Sequence, residues 1–110
     1  MGQLTLRISL AETKNAAEIM LEGRVAGLWA AELGSFWMAM APKLASKQIS
    51  IDLRNVTYAD ADGKQVLRAI HAQTGAKLVT GTPLTQYLAA EVAANRKVGM
   101  EKELRDANTE

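Results

Sequence analysis

The middle of the chain reads Ile49-Ser50-Ile51-Asp52-Leu53-Arg54-Asn55-Val56-Thr57-Tyr58-Ala59-Asp60-Ala61-Asp62-Gly63. Its residue types indicate in turn a strand, a connector and the start of a helix. Residues 49–53 are rich in β-branched side chains, which predicts a short strand. Residues 54–59 are interpreted as a connector. Asp62, followed three residues later by Gln65, is an Asp version of a capping box, so we expect Asp62 to cap a helix that continues through Ile70.

Two segments with period-two alternation precede this region. Residues 4–10 alternate apolar and polar side chains, and residues 17–25 alternate again. The polar residues 13–15 between them are typical of a turn. We therefore predict an antiparallel pair of strands.

Apolar residues then recur at helical spacing, which predicts an amphipathic helix beginning near Leu28. Pro42 lacks a backbone N–H, so we expect the helix to end or kink near residues 40–41. We interpret the apolar stripe as core packing under a sheet, rather than as a cofactor pocket. Its members are Trp29, Leu33, Phe36, Trp37, Met40 and Leu44.

The remaining sequence supplies one more strand and one more helix. Gly75 fits the position just past a helix end, and residues 76–79 predict a fourth strand. Thr82 and Pro83 predict the cap and first residue of a third helix that continues to about residue 95. This order predicts an α/β domain over residues 1–95, with a mixed, largely parallel sheet of four to five strands and helices packed on it. Residues 96–110 are predicted to be a charged helix or tail of the same domain.

The composition excludes several classes of function. The chain has 110 residues, 13 basic and 12 acidic side chains, no cysteine and one histidine. A net charge of +1 argues against nucleic-acid binding, and the lack of cysteine excludes disulfides and thiol chemistry. No apolar run approaches the ~20 residues of a membrane span, and the amino terminus lacks a secretory pattern. We therefore expect a cytoplasmic protein with no direct membrane insertion.

The loop around residues 58–64 is the place where chemistry would be expected in such a fold. Asp60 and Asp62 would suit an acid–base pair or a divalent cation, but the favoured interpretation is that Asp62 caps the helix and Asp60 shapes the turn. Glycine-rich phosphate loops are absent. We predict no catalytic, metal or cofactor-binding residues, and therefore no enzyme.

Residues 49–63 resemble the central signature of STAS domains, which are named for sulfate transporters and anti-sigma factor antagonists. That signature is an apolar strand ending in Asp-Leu, a connector containing Val, and Asp-Ser-Ser-Gly at a helix start. Gly23-Arg24-Val25 is similar to the Gly-X-aliphatic turn of the family, and Leu78-Val79-Thr80-Gly81-Thr82-Pro83 is similar to its fourth strand and next helix start. The resemblance covers roughly residues 4–92.

The resemblance implies a non-enzymatic switch in bacterial transcription regulation. In the antagonist branch of the family, the second Ser is phosphorylated by a serine kinase that is also an anti-sigma factor. The unmodified protein binds this kinase, and the phosphorylated form releases it. The resemblance thus implies a partner-binding loop formed by Asp60, Ala61, Asp62, Gly63 and Lys64.

This sequence departs from the family at the phosphorylated position. Ala61 and Asp62 replace the two serines, and Lys64 replaces a residue that is usually apolar. Asp carries about one negative charge against ~1.5–2 for phosphoserine, so Asp62 is a partial mimic at best.

Our leading prediction is an antagonist-like module that docks on a serine-kinase-type anti-sigma factor. The alternative is a STAS accessory subunit bound to the ATPase of a lipid-transporting ABC system. An enzyme or phospho-receiver using Asp60 or Asp62 is the least favoured hypothesis. Thr82 is a candidate secondary phosphosite, although a plain N-cap is favoured. We expect a monomer or weak homodimer.

Overall fold

The computed structural model describes residues 5–93. The predicted charged helix or tail at residues 96–110 lies outside the described residues, as does the predicted start of the first strand at Leu4. The elements, in chain order, are β1 (Leu6–Glu12), β2 (Ala16–Val25), α1 (Leu28–Leu44), β3 (Gln48–Ala59), α2 (Ala61–Thr74), β4 (Lys77–Val79) and α3 (residues 83–93).

The four strands form one mixed sheet with the order β1-β2-β3-β4. β1 and β2 are antiparallel, and Thr13 to Asn15 form the turn between them. β2, β3 and β4 are parallel to one another. The predicted α/β fold with a largely parallel sheet is confirmed. Because β2 and β3 run in the same direction, their carboxyl ends lie side by side, and α1 and α2 begin from that edge.

β3 is longer than predicted, and the expected connector at residues 54–59 is wrong. These residues continue the strand because the second half of β2 offers them a partner, with Glu22 opposite Asn55 and Val25 opposite Ala59. Between Met20 and Glu22 of β2 the pairing register shifts, because β3 advances from Asp52 to Asn55 over the same stretch. The extra residue makes a β-bulge on β3. The pattern of β-branched residues ends at Leu53, so the sequence alone shows only the first half of the strand.

The carboxylate of Asp52 holds this bulge in place. Its Oδ1 accepts a hydrogen bond of 2.9 Å from the backbone N–H of Arg54, and the guanidinium of Arg54 donates to both carboxylate oxygens at 3.0 and 2.8 Å. The Arg54 side chain lowers the pKa of Asp52, and burial acts in the opposite direction. The ion pair therefore compensates for the free-energy cost of burying this carboxylate, since Asp52 is only 5% exposed.

α1 continues past the proline that was expected to end it. Pro42 lies inside the helix, which reaches Leu44. In the last turn a proline removes one backbone hydrogen bond, and burial of Leu44 in the core compensates for this loss. The predicted end near residues 40–41 is therefore wrong, and the alternative of a kink there stays a prediction.

The core joins the sheet to all three helices, and the apolar stripe of α1 is part of it. Ile19 and Leu21 of β2 belong to the same buried cluster as Leu33 of α1, Leu67 of α2 and Leu88 of α3. The stripe residues Trp29, Phe36 and Met40 pack against this cluster, and Leu33, Trp37 and Leu44 belong to it. The interpretation of the stripe as core is confirmed.

Candidate functional site

The start of α2 is organised by Asp60, which is the N-cap of the helix. Asp60 has extended backbone angles, and its Oδ1 accepts a hydrogen bond of 2.8 Å from the N–H of Gly63. The prediction that Asp62 caps the helix with Gln65 is wrong, because the helix begins at Ala61 and Asp62 lies in its first turn. The sequence offers two aspartates at plausible capping positions, and contacts with a distant segment select the first.

The second oxygen of Asp60 makes that distant contact. Asp60 Oδ2 accepts a hydrogen bond of 3.0 Å from the N–H of Gly27, just before α1, and the Asp60 N–H donates to the Val25 carbonyl at 3.2 Å. The N–H groups of Gly63 and then of Gly27 hold the pKa of Asp60 below its usual value. Both carboxylate oxygens are therefore engaged in joining the ends of β2 and α2.

Gly63 lets the first turn of α2 lie directly on the end of β2. A β-carbon at this position would overlap the carbonyl oxygen of Val25. Because this oxygen belongs to the backbone, no rotamer change of a flexible side chain would make room for the β-carbon. The residue is a requirement of packing, which gives it a structural role independent of any partner.

Asp62, in contrast, is exposed in the first turn of α2. Among residues 5–93, its carboxylate has no hydrogen-bond or ion-pair partner. It borders a shallow groove shared with the start of α1, where Gly27, Ala30 and Val66 also contribute. A negative charge in this position is favoured by the positive end of the helix dipole. Ala61 beside it is exposed as well, so these two positions face solvent.

Lys64 points to the other side of α2 and is paired. Its Nζ lies 2.9 Å from Oε1 of Glu91, which joins the start of α2 to α3. Both residues border a cleft of about 190 Å³ between β3 and α3, which is lined mainly by apolar side chains, including Tyr58, Leu84 and Tyr87. The loop predicted from residues 60–64 thus consists of three residues that build the scaffold, namely Asp60, Gly63 and Lys64, and two that face outward.

Large apolar side chains are exposed on both sides of the start of α2. Leu28 of α1 is 83% exposed, and Tyr58, Leu84 and Tyr87 are all more than 40% exposed around the cleft. The sequence places Tyr58 in the candidate loop at residues 58–64, but its patterns did not indicate Leu28, Leu84 or Tyr87 as surface residues. Leu84, Tyr87 and Leu88 have the i, i+3, i+4 spacing of one buried stripe, so their pattern does not indicate that Leu84 and Tyr87 are exposed.

Thr82 lies just before α3 and fulfils the predicted capping role. Its Oγ1 accepts a hydrogen bond of 3.1 Å from the N–H of Thr85, and Oγ1 of Thr85 accepts one of 3.0 Å from the N–H of Thr82. Thr85 is fully buried, whereas Thr82 is exposed. This reciprocal pair is equivalent to a capping box. A secondary phosphosite at Thr82 stays a prediction.

In residues 5–93 no group of three or more His, Cys, Asp or Glu side chains is arranged to hold a metal ion. In the same residues no helix is both long and apolar enough to cross a membrane.

Comparison with models of known protein families finds no family that matches this sequence. A search of curated proteins finds no match either.

Proposed function

We propose that this chain is a non-enzymatic, antagonist-like STAS module that docks on a serine-kinase-type anti-sigma factor through the start of α2. The proposal rests on the resemblance of residues 49–63 and on the α/β architecture, in which the segment equivalent to Asp-Ser-Ser-Gly opens a helix. Such a module would act in the cytoplasm, where a kinase and a sigma factor meet.

One observation carries the proposal: Asp62 is exposed and unpaired among residues 5–93, while its neighbours Asp60 and Gly63 are engaged with the scaffold. A residue that has no role in the packing of α2, yet carries a charge at the helix start, is suited to contact a partner. It occupies the position at which the family carries the phosphorylated serine.

The surroundings of Asp62 have the composition of a protein interface. Leu28 lies on one side, and Tyr58, Leu84 and Tyr87 lie on the other. Aromatic and apolar side chains around a small number of charged groups are typical of the centres of protein–protein interfaces. We infer that the partner covers the groove and the cleft together, with Asp62 near the middle.

The carboxylate also defines how the module would be regulated. Asp62 has no hydroxyl to receive a phosphoryl group, and its single charge is less than that of phosphoserine. Docking would therefore not be switched by phosphorylation at this position.

Titration calorimetry with the serine-kinase-type anti-sigma factor encoded nearest to the gene for this chain tests the proposal. We expect the wild-type chain to bind equally with and without ATP, and the Asp62→Ser variant to incorporate phosphate and then dissociate. Glu12→Gln is the control for loss of a surface charge, because Glu12 ends β1 beside Ala17, at the far end of β2 from α2, where its carboxylate pairs with Lys47. If the wild-type chain does not bind the anti-sigma factor and the Asp62→Ser variant is never phosphorylated by it, the antagonist proposal fails.

The second candidate is an accessory subunit on the ATPase of a lipid-transporting ABC system. Four exposed large apolar side chains around one helix start favour a permanent partner, because obligate interfaces are the more hydrophobic ones. Purification of the ATPase subunit from the native cell distinguishes the two candidates. Stoichiometric recovery of this chain with the ATPase, abolished by Tyr87→Ser, would favour the transporter.

A further inference from the structure

β1 is the free edge of the described sheet. It pairs with β2 on one side, and no strand among residues 5–93 pairs with its other side. Its seven residues pair with β2 in an unbroken register from Leu6 to Glu12, without a bulge or a proline. Bulges, prolines and charged side chains are devices that protect an edge strand from pairing. β1 has only the charges of Arg7 and Glu12, which lie near its two ends.

The backbone of β1 presents alternate residues for pairing. The N–H of Arg24 donates to the carbonyl of Thr5 at 3.1 Å, which makes these two residues a hydrogen-bonded pair. Hydrogen-bonded and non-hydrogen-bonded pairs alternate along an antiparallel ladder. The N–H and carbonyl groups of Leu6, Ile8, Leu10 and Glu12 therefore point away from β2, toward the open edge.

The apolar core reaches this edge and ends there. Ile8 lies opposite Leu21, and Leu10 lies opposite Ile19, so both side chains are on the core side of the sheet. They pack against the core cluster but are only half-buried. A further strand along β1 would cover the side of these residues that remains exposed.

We propose that β1 pairs with β1 of a second copy of this chain, antiparallel and about a two-fold axis at Ser9. In this register Ile8 lies opposite Leu10 of the second copy, so the two half-buried apolar residues of the edge meet each other, and Leu6 lies opposite Glu12 at the ends of the strand. Ile8 and Leu10 form one kind of hydrogen-bonded pair across the interface, and Leu6 and Glu12 form the other. All four residues whose backbone groups point outward are therefore hydrogen-bonded to the second copy. The two sheets join into one continuous sheet, and the strand is complementary to itself, as a two-fold interface requires.

Charge on the opposite face of the sheet supports the same register. Arg7 would lie opposite Ala11 of the second copy, and Ala11 pairs with Glu18 of its own β2. Two strand spacings, about 10 Å, then separate Arg7 from that Glu18, a distance that the two long side chains can bridge over the small alanine. Arg7 now lies 3.9 Å from Glu22 and is mostly exposed, so it is available for a second carboxylate.

A single-cysteine experiment tests this register, because the chain has no cysteine of its own. On the two-fold axis, Ser9 faces Ser9 of the second copy as a non-hydrogen-bonded pair, with α-carbons ~4.5 Å apart, which is within the range of a disulfide. Ala11→Cys is the matched control on the same face. Its two copies would be four residues apart along the strand, about 13 Å, which is too far for a disulfide.

Both variants are oxidised under the same mild conditions at the same protein concentration, after circular dichroism has shown the wild-type spectrum for each. We expect the Ser9→Cys variant to form a disulfide-linked dimer roughly tenfold faster than Ala11→Cys, because pairing raises the effective concentration of its thiols. Sedimentation of the wild-type chain is expected to show a mass that rises toward that of a dimer with concentration. Equal oxidation rates for the two variants would overturn the proposal. So would a faster reaction of Ala11→Cys.

Discussion

The carbonyl oxygen of Val25 occupies the space into which a β-carbon at Gly63 would project. This contact places the first turn of α2 directly on the end of β2, beside the hydrogen bonds that Asp60 makes to Gly27 and Gly63. The position of the candidate docking surface therefore depends on one missing side chain and one carboxylate.

Replacement of Gly63 by alanine tests this contact. We expect Gly63→Ala to lower the free energy of unfolding by about 1–3 kcal/mol, because the helix must move away from the Val25 carbonyl. Gly34→Ala is the control, since a β-carbon there would lie 3.9 Å from the nearest atom, in the Val66 side chain, within a helix. The control is expected to raise the free energy of unfolding by about 0.5–1 kcal/mol. Urea unfolding measures both, and a neutral Gly63→Ala would contradict the packing argument.

Neutralising Asp60 is expected to destabilise the protein in a pH-dependent manner. The folded pKa of Asp60 is below its ordinary value of 3.8, so its contribution to stability is fully present above that value and is lost as the pH falls through the folded pKa. Asp60→Asn keeps one acceptor oxygen for two N–H donors. We therefore expect a lower thermal midpoint than wild type at pH 7, and a difference that shrinks as the pH falls below about 4.

The control for this measurement is Asp62→Asn, the same chemical change two residues later. Its carboxylate has no hydrogen-bond partner among residues 5–93, so we expect a smaller effect at every pH. An equal effect of the two substitutions at pH 7 would mean that the contacts of Asp60 with Gly27 and Gly63 do not stabilise the fold.

Two neighbouring residues of α3 are expected to respond differently to truncation. Leu88 is 4% exposed in the core, and Leu88→Ala should cost about 2–5 kcal/mol of unfolding free energy. Tyr87 is 65% exposed, and Tyr87→Ala should change it by less than about 0.5 kcal/mol. Chemical denaturation of both variants checks this contrast. A large loss for Tyr87→Ala would mean that this tyrosine supports the fold and is not available to a partner.

The cap of α3 gives a further measurable effect. Thr82→Ala removes the acceptor for the N–H of Thr85 and is expected to cost about 1 kcal/mol. Thr82→Ser retains a hydroxyl in the same place and should stay close to wild type in thermal unfolding. If both variants lose the same stability, the methyl group of Thr82, rather than its hydroxyl, would be the stabilising element.

The order of the elements could be predicted from the sequence because each one carries a local signal. The hairpin follows from alternation, α1 from its apolar stripe, and the end of α2 from Gly75, whose left-handed backbone is observed. The prediction failed where two segments distant in the chain determine the outcome. Residues 54–59 form a strand because β2 is long enough to pair with them.

The helix start at residues 60–63 could be predicted from the sequence, but the structural roles of Asp60 and Asp62 could not. Asp60 and Asp62 stand at equally plausible positions in the sequence, and the choice between them depends on Gly27, thirty-three residues away. The exposed Leu28 lies in the first turn of α1, next to residues of the core stripe, and only the packed structure shows that it faces outward.

The division of residues 60–63 into scaffold and surface has a consequence for how such a protein diversifies. Asp60 and Gly63 are fixed by contacts inside the molecule, whereas Ala61 and Asp62 are exposed and touch little. We therefore expect substitutions at these two adjacent positions, in the middle of the surface proposed for docking, to change the free energy of unfolding little. A library limited to positions 61 and 62 would vary the exposed surface at the start of α2 while Asp60 and Gly63 keep the backbone in place.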